Sequence, residues 1–180
     1  MNSKCYIAAP FFTPGELTTV ITLEKTLSTL FNVFSPRSLG PESVEDLQSK
    51  AIRASINQEN LVQLQSSTVI LAWLDRILPD NTQIFMETYA KPGGWVTTSR
   101  KKLNSKIDEG TLWEMGYAQG VGIPVVGFTL NELSDINIML SENIQAVIHG
   151  WEELTEWVSL CKTANQYVPY PKHITTGTFR

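Results

Sequence analysis

The apolar run at residues 68–74 (TVILAWL) places the strongest constraint on the fold. After Thr68, every residue in this run is apolar, so it lacks the polar–apolar alternation of a strand with one exposed face. It is also far shorter than the ~20 apolar residues of a membrane-spanning helix. Such a run is typical of a central strand in a parallel sheet, which helices cover on both faces. The chain is therefore expected to have an α/β fold.

Shorter apolar runs alternate with helical patterns along the rest of the chain. Residues 13–16 (TPGE) are typical of a helix start, with threonine as the cap, proline at the first helical position and glutamate at the third. Further strands are expected at 5–9, 32–34, 123–128 and 146–148, and further helices at 43–65, after 110 and at 151–162. We predict a Rossmann/flavodoxin-like parallel sheet of about five strands with helices on both faces. Ligands bind such sheets beyond the carboxyl ends of the strands.

Composition narrows the class of protein. The 180 residues suffice for one domain spanning 1–180, and 42% hydrophobic with 18% charged residues is typical of a globular chain. The formal net charge of −4 provides no basic field for a nucleic-acid polymer. Cys5 and Cys161 indicate no disulfide framework, and two histidines without ligand spacing indicate no metal site. With neither a signal peptide nor a membrane span in view, we expect a cytoplasmic protein with reduced thiols.

Residues 76–107 interrupt the alternation of strands and helices. This segment is long for a connection inside a domain, and it contains six basic residues against two acidic ones. Residues 83–88 and 95–98 are possible arms of a hairpin around the glycine-rich turn at 90–94. The segment is interpreted as an insertion, either a solvated surface excursion or a lid or interface element.

The segment 108–118 (DEGTLWEMGYA) carries the strongest chemical signal. It places two carboxylates, Asp108 and Glu114, on either side of a glycine turn that opens a helix. Two carboxylates can divide the work of glycosyl transfer, because one attacks the sugar while the other assists the leaving group. The same residues also fit a capping box with Thr111 as the cap and Glu114 reaching back to its amide. Spacing alone favours the cap.

Four segments in order give the chain a resemblance to the nucleoside 2-deoxyribosyltransferase family. They are residues 6–12 (YIAAPFF), 57–61 (NQENL), 108–118 and 137–139 (NIM), and they extend over most of the chain. The resemblance implies transfer of 2-deoxyribose between nucleobases with retention at C1′. It also implies that the substrates are 2′-deoxynucleosides and free nucleobases, and that the reaction needs no cofactor.

The resemblance also implies roles for individual residues. Glu114 matches the nucleophile, Asp108 a residue that assists protonation of the base, and Tyr6 a tyrosine that orients the nucleophile. A carboxylate in the first helical turn would be stabilised as an anion by the helix dipole. Each position also has an ordinary structural interpretation: a helix cap for Glu114, a turn for Asp108 and core packing for Tyr6.

The substrate-binding residues follow in the same way. The resemblance places the base between Phe11 and Phe12, although either ring is also explained by core packing. Asn137 and Met139 match an element that completes the pocket of a neighbouring subunit, which implies a homo-oligomer, at least a dimer. Asn60 stands where the family often has an aspartate. An amide donates and accepts hydrogen bonds but does not transfer a proton. Asn60 is therefore expected either to hydrogen-bond the edge of the base or to give an activity that is weaker or altered in base preference.

Two other functions remain open from the sequence. A hydrolase of the same fold would split deoxynucleoside 5′-monophosphates, and it would need a phosphate site, for which Ser35, Arg37, Ser38 or cations of the insertion are candidates. The other alternative is a nucleoside- or nucleotide-binding protein without turnover. The segment 137–139 favours the transferase, because it resembles an element that meets an unphosphorylated sugar.

Overall fold

A five-stranded parallel sheet forms the centre of the molecule. The structure is a computed structural model that describes residues 3–39, 48–75, 107–131, 140 and 142–170, together with the backbone of 83–91 and 94–102. The strands of the sheet are β1 (Lys4–Ala8), β2 (Asn32–Phe34), β3 (Val69–Trp73), β6 (Val125–Thr129) and β7 (Ala146–His149). Their order is β2-β1-β3-β6-β7, so β3 is central and all five of its residues are buried. The predicted α/β fold is confirmed.

Helices cover both faces of the sheet, because neighbouring residues of each strand point to opposite sides. The helices are α1 (Pro14–Leu27), α2 (Lys50–Gln65), α3 (Glu109–Gly120) and α4 (Gly150–Ala164). One core packs α1 and α4 against Ile7, Leu71 and Phe128. The other packs α2 and α3 against Tyr6 and Ile70. A residue of β1 therefore reaches the α2–α3 side only at alternate positions, and Tyr6 is one of them.

The predicted start of the first helix is confirmed in detail. Thr13 caps α1 by accepting a hydrogen bond from the Glu16 amide, and the Glu16 carboxylate accepts one from the Thr13 amide at 2.9 Å. Cys5 and Cys161 are buried on the same side of the sheet and form no disulfide. Burial raises the pKa of the Cys5 thiol to about 12, so this thiol is protonated and unreactive at neutral pH.

Two helix starts differ from the prediction. α2 begins at Lys50 rather than at residue 43, because Ser49 has an extended backbone and caps the helix by accepting from the Ile52 amide. α3 begins at Glu109, with Asp108 rather than Thr111 as its cap. The capping box on Thr111 was wrong, since Thr111 is inside the helix and its amide donates to the Asp108 carboxylate at 3.0 Å.

The insertion contains the predicted hairpin, with longer arms than expected. Strands β4 (Gln83–Lys91) and β5 (Gly94–Lys102) pair in antiparallel register, with Thr88 opposite Thr97. They form a two-stranded sheet separate from the main one. In the part of the chain that is described, no helix is both long and apolar enough to cross a membrane.

Candidate active site

A cavity of about 390 Å³ lies between α2 and α3, above the middle of β1. The residues that line it are Tyr6, Asn57, Asn60, Leu61, Leu64, Gly110, Trp113 and Glu114. The α2 residues recur at spacings of three and four, as do those of α3, so each helix contributes one stripe to a wall. β1 lies between β2 and β3 in the sheet. Tyr6, the middle residue of β1, represents the sheet in this lining, so the cavity lies over the face of the sheet, whereas the sequence predicted a site beyond the carboxyl ends of the strands.

Glu114 and Tyr6 meet at the floor of this cavity. The Tyr6 hydroxyl donates to Glu114 Oε1 at 2.5 Å, and Tyr6 itself is completely buried beneath the helix. Within the described residues, Glu114 Oε2 accepts no hydrogen bond. Tyr6 therefore fixes the carboxylate by one oxygen and leaves the other available to a molecule in the cavity.

The ionisation of Glu114 is set mainly by burial. Loss of water raises the pKa of its carboxyl, the Tyr6 hydrogen bond lowers it, and the negative charge of Asp108 raises it; the net result is a pKa of about 7. The stabilisation by the helix dipole that the sequence suggested is not the dominant effect. Because α3 begins at Glu109, Glu114 lies in the second turn, beyond the free amides of the helix end.

Asp108 holds the entry to α3. Its carboxylate accepts from the Thr111 amide at 3.0 Å and from the Thr111 hydroxyl at 3.4 Å. Gly110 keeps this turn open, since a Cβ at Gly110 would lie only 3.0 Å from Asp108 Oδ2. Asp108 is thus a cap whose charge acts on Glu114, but it is not among the residues that line the cavity.

Asn60 lies on the opposite wall, on α2. Its Oδ1 atom is buried and has no hydrogen-bond partner among the residues that the structure describes. A buried amide oxygen without a partner costs free energy, so it is suited to accept a hydrogen bond from a ligand. Glu59, the neighbouring carboxylate, accepts instead from Gln63 Nε2 at 2.6 Å and does not line the cavity.

The remaining predicted residues are placed elsewhere or are not described. Phe11 and Phe12 stack on each other with ring centres 5.1 Å apart, but Phe11 packs against the α1–α4 core and Phe12 is 71% exposed. Neither ring lines the cavity. Asn137 and Met139 lie outside the described residues. The role of these four residues in binding stays a prediction.

Sequence reasoning missed part of the cavity. Trp113 and Leu64 were given no role, and Asn57 and Leu61 were quoted only as part of a segment. Two signals point to them. Residues 57 and 64 lie at helical spacing from Asn60, and 61 follows 57 by four, while Trp113 directly precedes Glu114. Local sequence patterns do not predict that α2 and α3 face each other across a gap.

Comparison with solved structures gives the fold a reference. A 2-deoxyribosyltransferase from the psychrotolerant bacterium Bacillus psychrosaccharolyticus is similar with a TM-score of 0.64 and 24% sequence identity, over 93% of this chain and 99% of that one. A conserved protein from Enterococcus faecalis V583 has a TM-score of 0.60 and 18% identity, over 89% of this chain and 99% of that one. No family model matches the sequence, and no curated protein does. The chain therefore has the 2-deoxyribosyltransferase fold that its four sequence segments predicted.

Proposed function

We propose that the protein transfers 2-deoxyribose between nucleobases, with Glu114 as the nucleophile. The observation that carries this proposal is a carboxylate buried in a cavity. Tyr6 holds it through one oxygen, and no described residue donates a hydrogen bond to the other. A carboxylate that served only as a helix cap would be bonded to backbone amides, and Asp108 already occupies that position. The likeness to a 2-deoxyribosyltransferase fold supports the same chemistry.

In the first step, Glu114 Oε2 attacks C1′ of a 2′-deoxynucleoside. A C1′–O bond forms as the C1′–N bond breaks, and the electron pair of the broken bond leaves with the base. The departing nitrogen accepts a hydrogen bond from a water molecule and takes its proton from solvent. Asp108, which does not line the cavity, assists by accepting a hydrogen bond from that water. Asn60 donates a hydrogen bond to the edge of the base or accepts one from it, since an amide side chain can do both.

In the second step, the nitrogen of another base attacks C1′ from the side that the first base left. The ester bond breaks, its electrons return to the Glu114 carboxylate, and the acceptor base loses its proton. Two inversions give net retention at C1′. No metal or organic cofactor is needed, and we place the reaction in the cytoplasm, in a homo-oligomer that Asn137 and Met139 would require.

The hydrolase of 5′-monophosphates has less support. It needs cations for the phosphate, but the Arg37 guanidinium donates through both Nε and a terminal nitrogen to Glu24, at 2.6 Å for the Nε bond. Ser35 is buried, and the Ser38 hydroxyl donates to the Ser35 carbonyl oxygen. Arg37 and Ser38 are therefore engaged within the protein and Ser35 is buried, so these three residues offer no free phosphate site. The side chains of the basic residues in the insertion lie outside the described part of the chain.

Base exchange followed by chromatography tests the proposal. The protein is incubated with 2′-deoxynucleosides and, separately, their 5′-monophosphates, with and without a second free base. We expect a new deoxynucleoside only when the acceptor is present. Free base and sugar phosphate released from the monophosphates alone would instead establish the hydrolase, and no turnover would leave a binding protein.

Intact-mass measurement tests the covalent step. Without an acceptor, protein denatured during turnover should carry one deoxyribosyl group, and digestion should place it on the peptide that contains Glu114. Glu114→Ala should lose both the adduct and the exchange. Leu160→Ala is the matched control, because it truncates an exposed apolar side chain on α4, on the other side of the sheet. Full activity of Glu114→Ala would refute the mechanism.

A further inference from the structure

Trp113 is an unusual surface residue. Its side chain is 54% exposed although it is large and apolar, and it lines the same cavity as Glu114. An exposed aromatic ring at the rim of a cavity with a few polar groups is typical of a ligand site. The core does not account for its position, because Trp113 belongs to neither of the two buried clusters.

The indole of Trp113 is braced from one side. It stacks on the ring of Tyr117, one helical turn further along α3, with centres 5.5 Å apart and planes 21° from parallel. The Tyr117 hydroxyl in turn accepts a hydrogen bond from Gln65 of α2 at 2.5 Å. These contacts fix the indole plane before any ligand arrives, which reduces the entropy lost on binding.

Both walls of the cavity offer complementary groups for one flat molecule. α3 offers the uncovered part of the Trp113 ring. α2 offers the buried Oδ1 atom of Asn60, which has no hydrogen-bond partner within the described part of the chain. A nucleobase has a π-face and polar edges, so it satisfies both groups at once. Among the described residues, Phe11 and Phe12 provide no ring in this cavity.

We propose that Trp113 is a specificity-determining residue whose indole stacks on the nucleobase at the mouth of the cavity. This inference rests on the proposed function for the identity of the ligand. Because the stacking energy grows with the overlapping area, the loss of the indole weakens the binding of a two-ring purine more than that of a one-ring pyrimidine.

Binding of free bases tests the proposal separately from turnover. Adenine and thymine are titrated calorimetrically into four proteins: the wild type, Trp113→Ala, Trp113→Leu and the control Leu160→Ala. We expect Trp113→Ala to raise the Kd for adenine about ten-fold, the order of effect of one aromatic stack, and the Kd for thymine less. Trp113→Leu keeps apolar volume without an aromatic face, so it should behave like alanine while preserving the fold.

The outcomes separate the two proposals. Binding of adenine that is unchanged in both Trp113 variants overturns the stacking role, whether or not the protein exchanges bases. If base exchange is absent but wild-type binding is present and lost in both variants, Trp113 is a base-binding residue and only the transferase is refuted. If the wild-type protein binds no base at all, the stacking role is overturned as well.

Discussion

Replacing Glu114 with glutamine should stabilise the protein in a pH-dependent way. The folded state holds this carboxyl largely out of water and raises its pKa from the ordinary 4.5 to about 7. Below pH 4.5 both folded and unfolded chains carry the proton, and burial of a neutral acid costs little. As the pH rises towards 7, the unfolded chain ionises first, and the contribution of Glu114 to stability is lost.

The magnitude follows from the same two pKa values. Their difference corresponds to about 3 kcal/mol of unfolding free energy once the pH exceeds both. Glutamine is neutral at every pH, has nearly the same shape and still accepts a hydrogen bond from Tyr6 through its amide oxygen. Relative to wild type, Glu114→Gln should therefore gain about 3 kcal/mol between pH 4 and pH 8.5.

Urea unfolding of both proteins at pH 4 and pH 8.5 measures this gain. Comparing the change with pH removes any constant cost of the amide group, and contributions from other titrating residues cancel between the two proteins. Glu109→Gln is the control, because Glu109 is exposed in the first turn of the same helix. Because this variant removes no buried charge, it should not reproduce the gain seen with Glu114→Gln. An equal difference between Glu114→Gln and wild type at both pH values would refute the buried-carboxylate argument.

Further predictions concern the same cavity and the sheet beneath it. Tyr6→Phe removes the hydrogen bond that lowers the pKa of Glu114, so the acidic limb of the pH profile of kcat/KM should move above pH 7. Asp108→Asn retains a capping oxygen and removes a negative charge that raises the pKa of Glu114. The acidic limb of the same profile should therefore move to lower pH. Asn60→Asp should raise exchange activity or change base preference, measured as relative rates over a panel of bases. Gly127→Ala should cost about 1–3 kcal/mol in urea unfolding, because its Cβ would lie 2.6 Å from Leu74 Cδ1 in the core.

Much of the fold was predictable from local patterns. The apolar strand at β3, the capping box of α1 and the hairpin of the insertion each depend on neighbouring residues, so the sequence contains the signal. The start of α3 was harder, because Asp108 and Thr111 are both good caps by local chemistry. Packing decides between them: a helix that begins after Asp108 directs Glu114 to Tyr6, which is 108 positions earlier in the chain.

The site was only partly predictable, for a similar reason. A motif identifies Glu114 and Tyr6 as partners, but the pKa of Glu114 depends on how much water the surrounding elements exclude. The role proposed for Trp113 likewise depends on the gap between α2 and α3, two helices that are separated in the chain by β3 and the insertion. No spacing rule within either helix describes that gap.

Burial of Glu114 has a consequence both for stability and for the proposed catalysis. A carboxylate with no cation beside it in the described structure destabilises the folded chain when it ionises, and helix capping offers no compensation because Asp108 already caps α3. The same loss of water makes the ionised oxygen a stronger nucleophile towards an electrophilic carbon in the cavity. A pKa near 7 keeps an appreciable fraction ionised at neutral pH, while Tyr6 limits how far burial can raise it. The loss of stability and the gain in reactivity at Glu114 therefore have one physical cause. A variant that restores the stability, such as Glu114→Gln, should remove the reactivity.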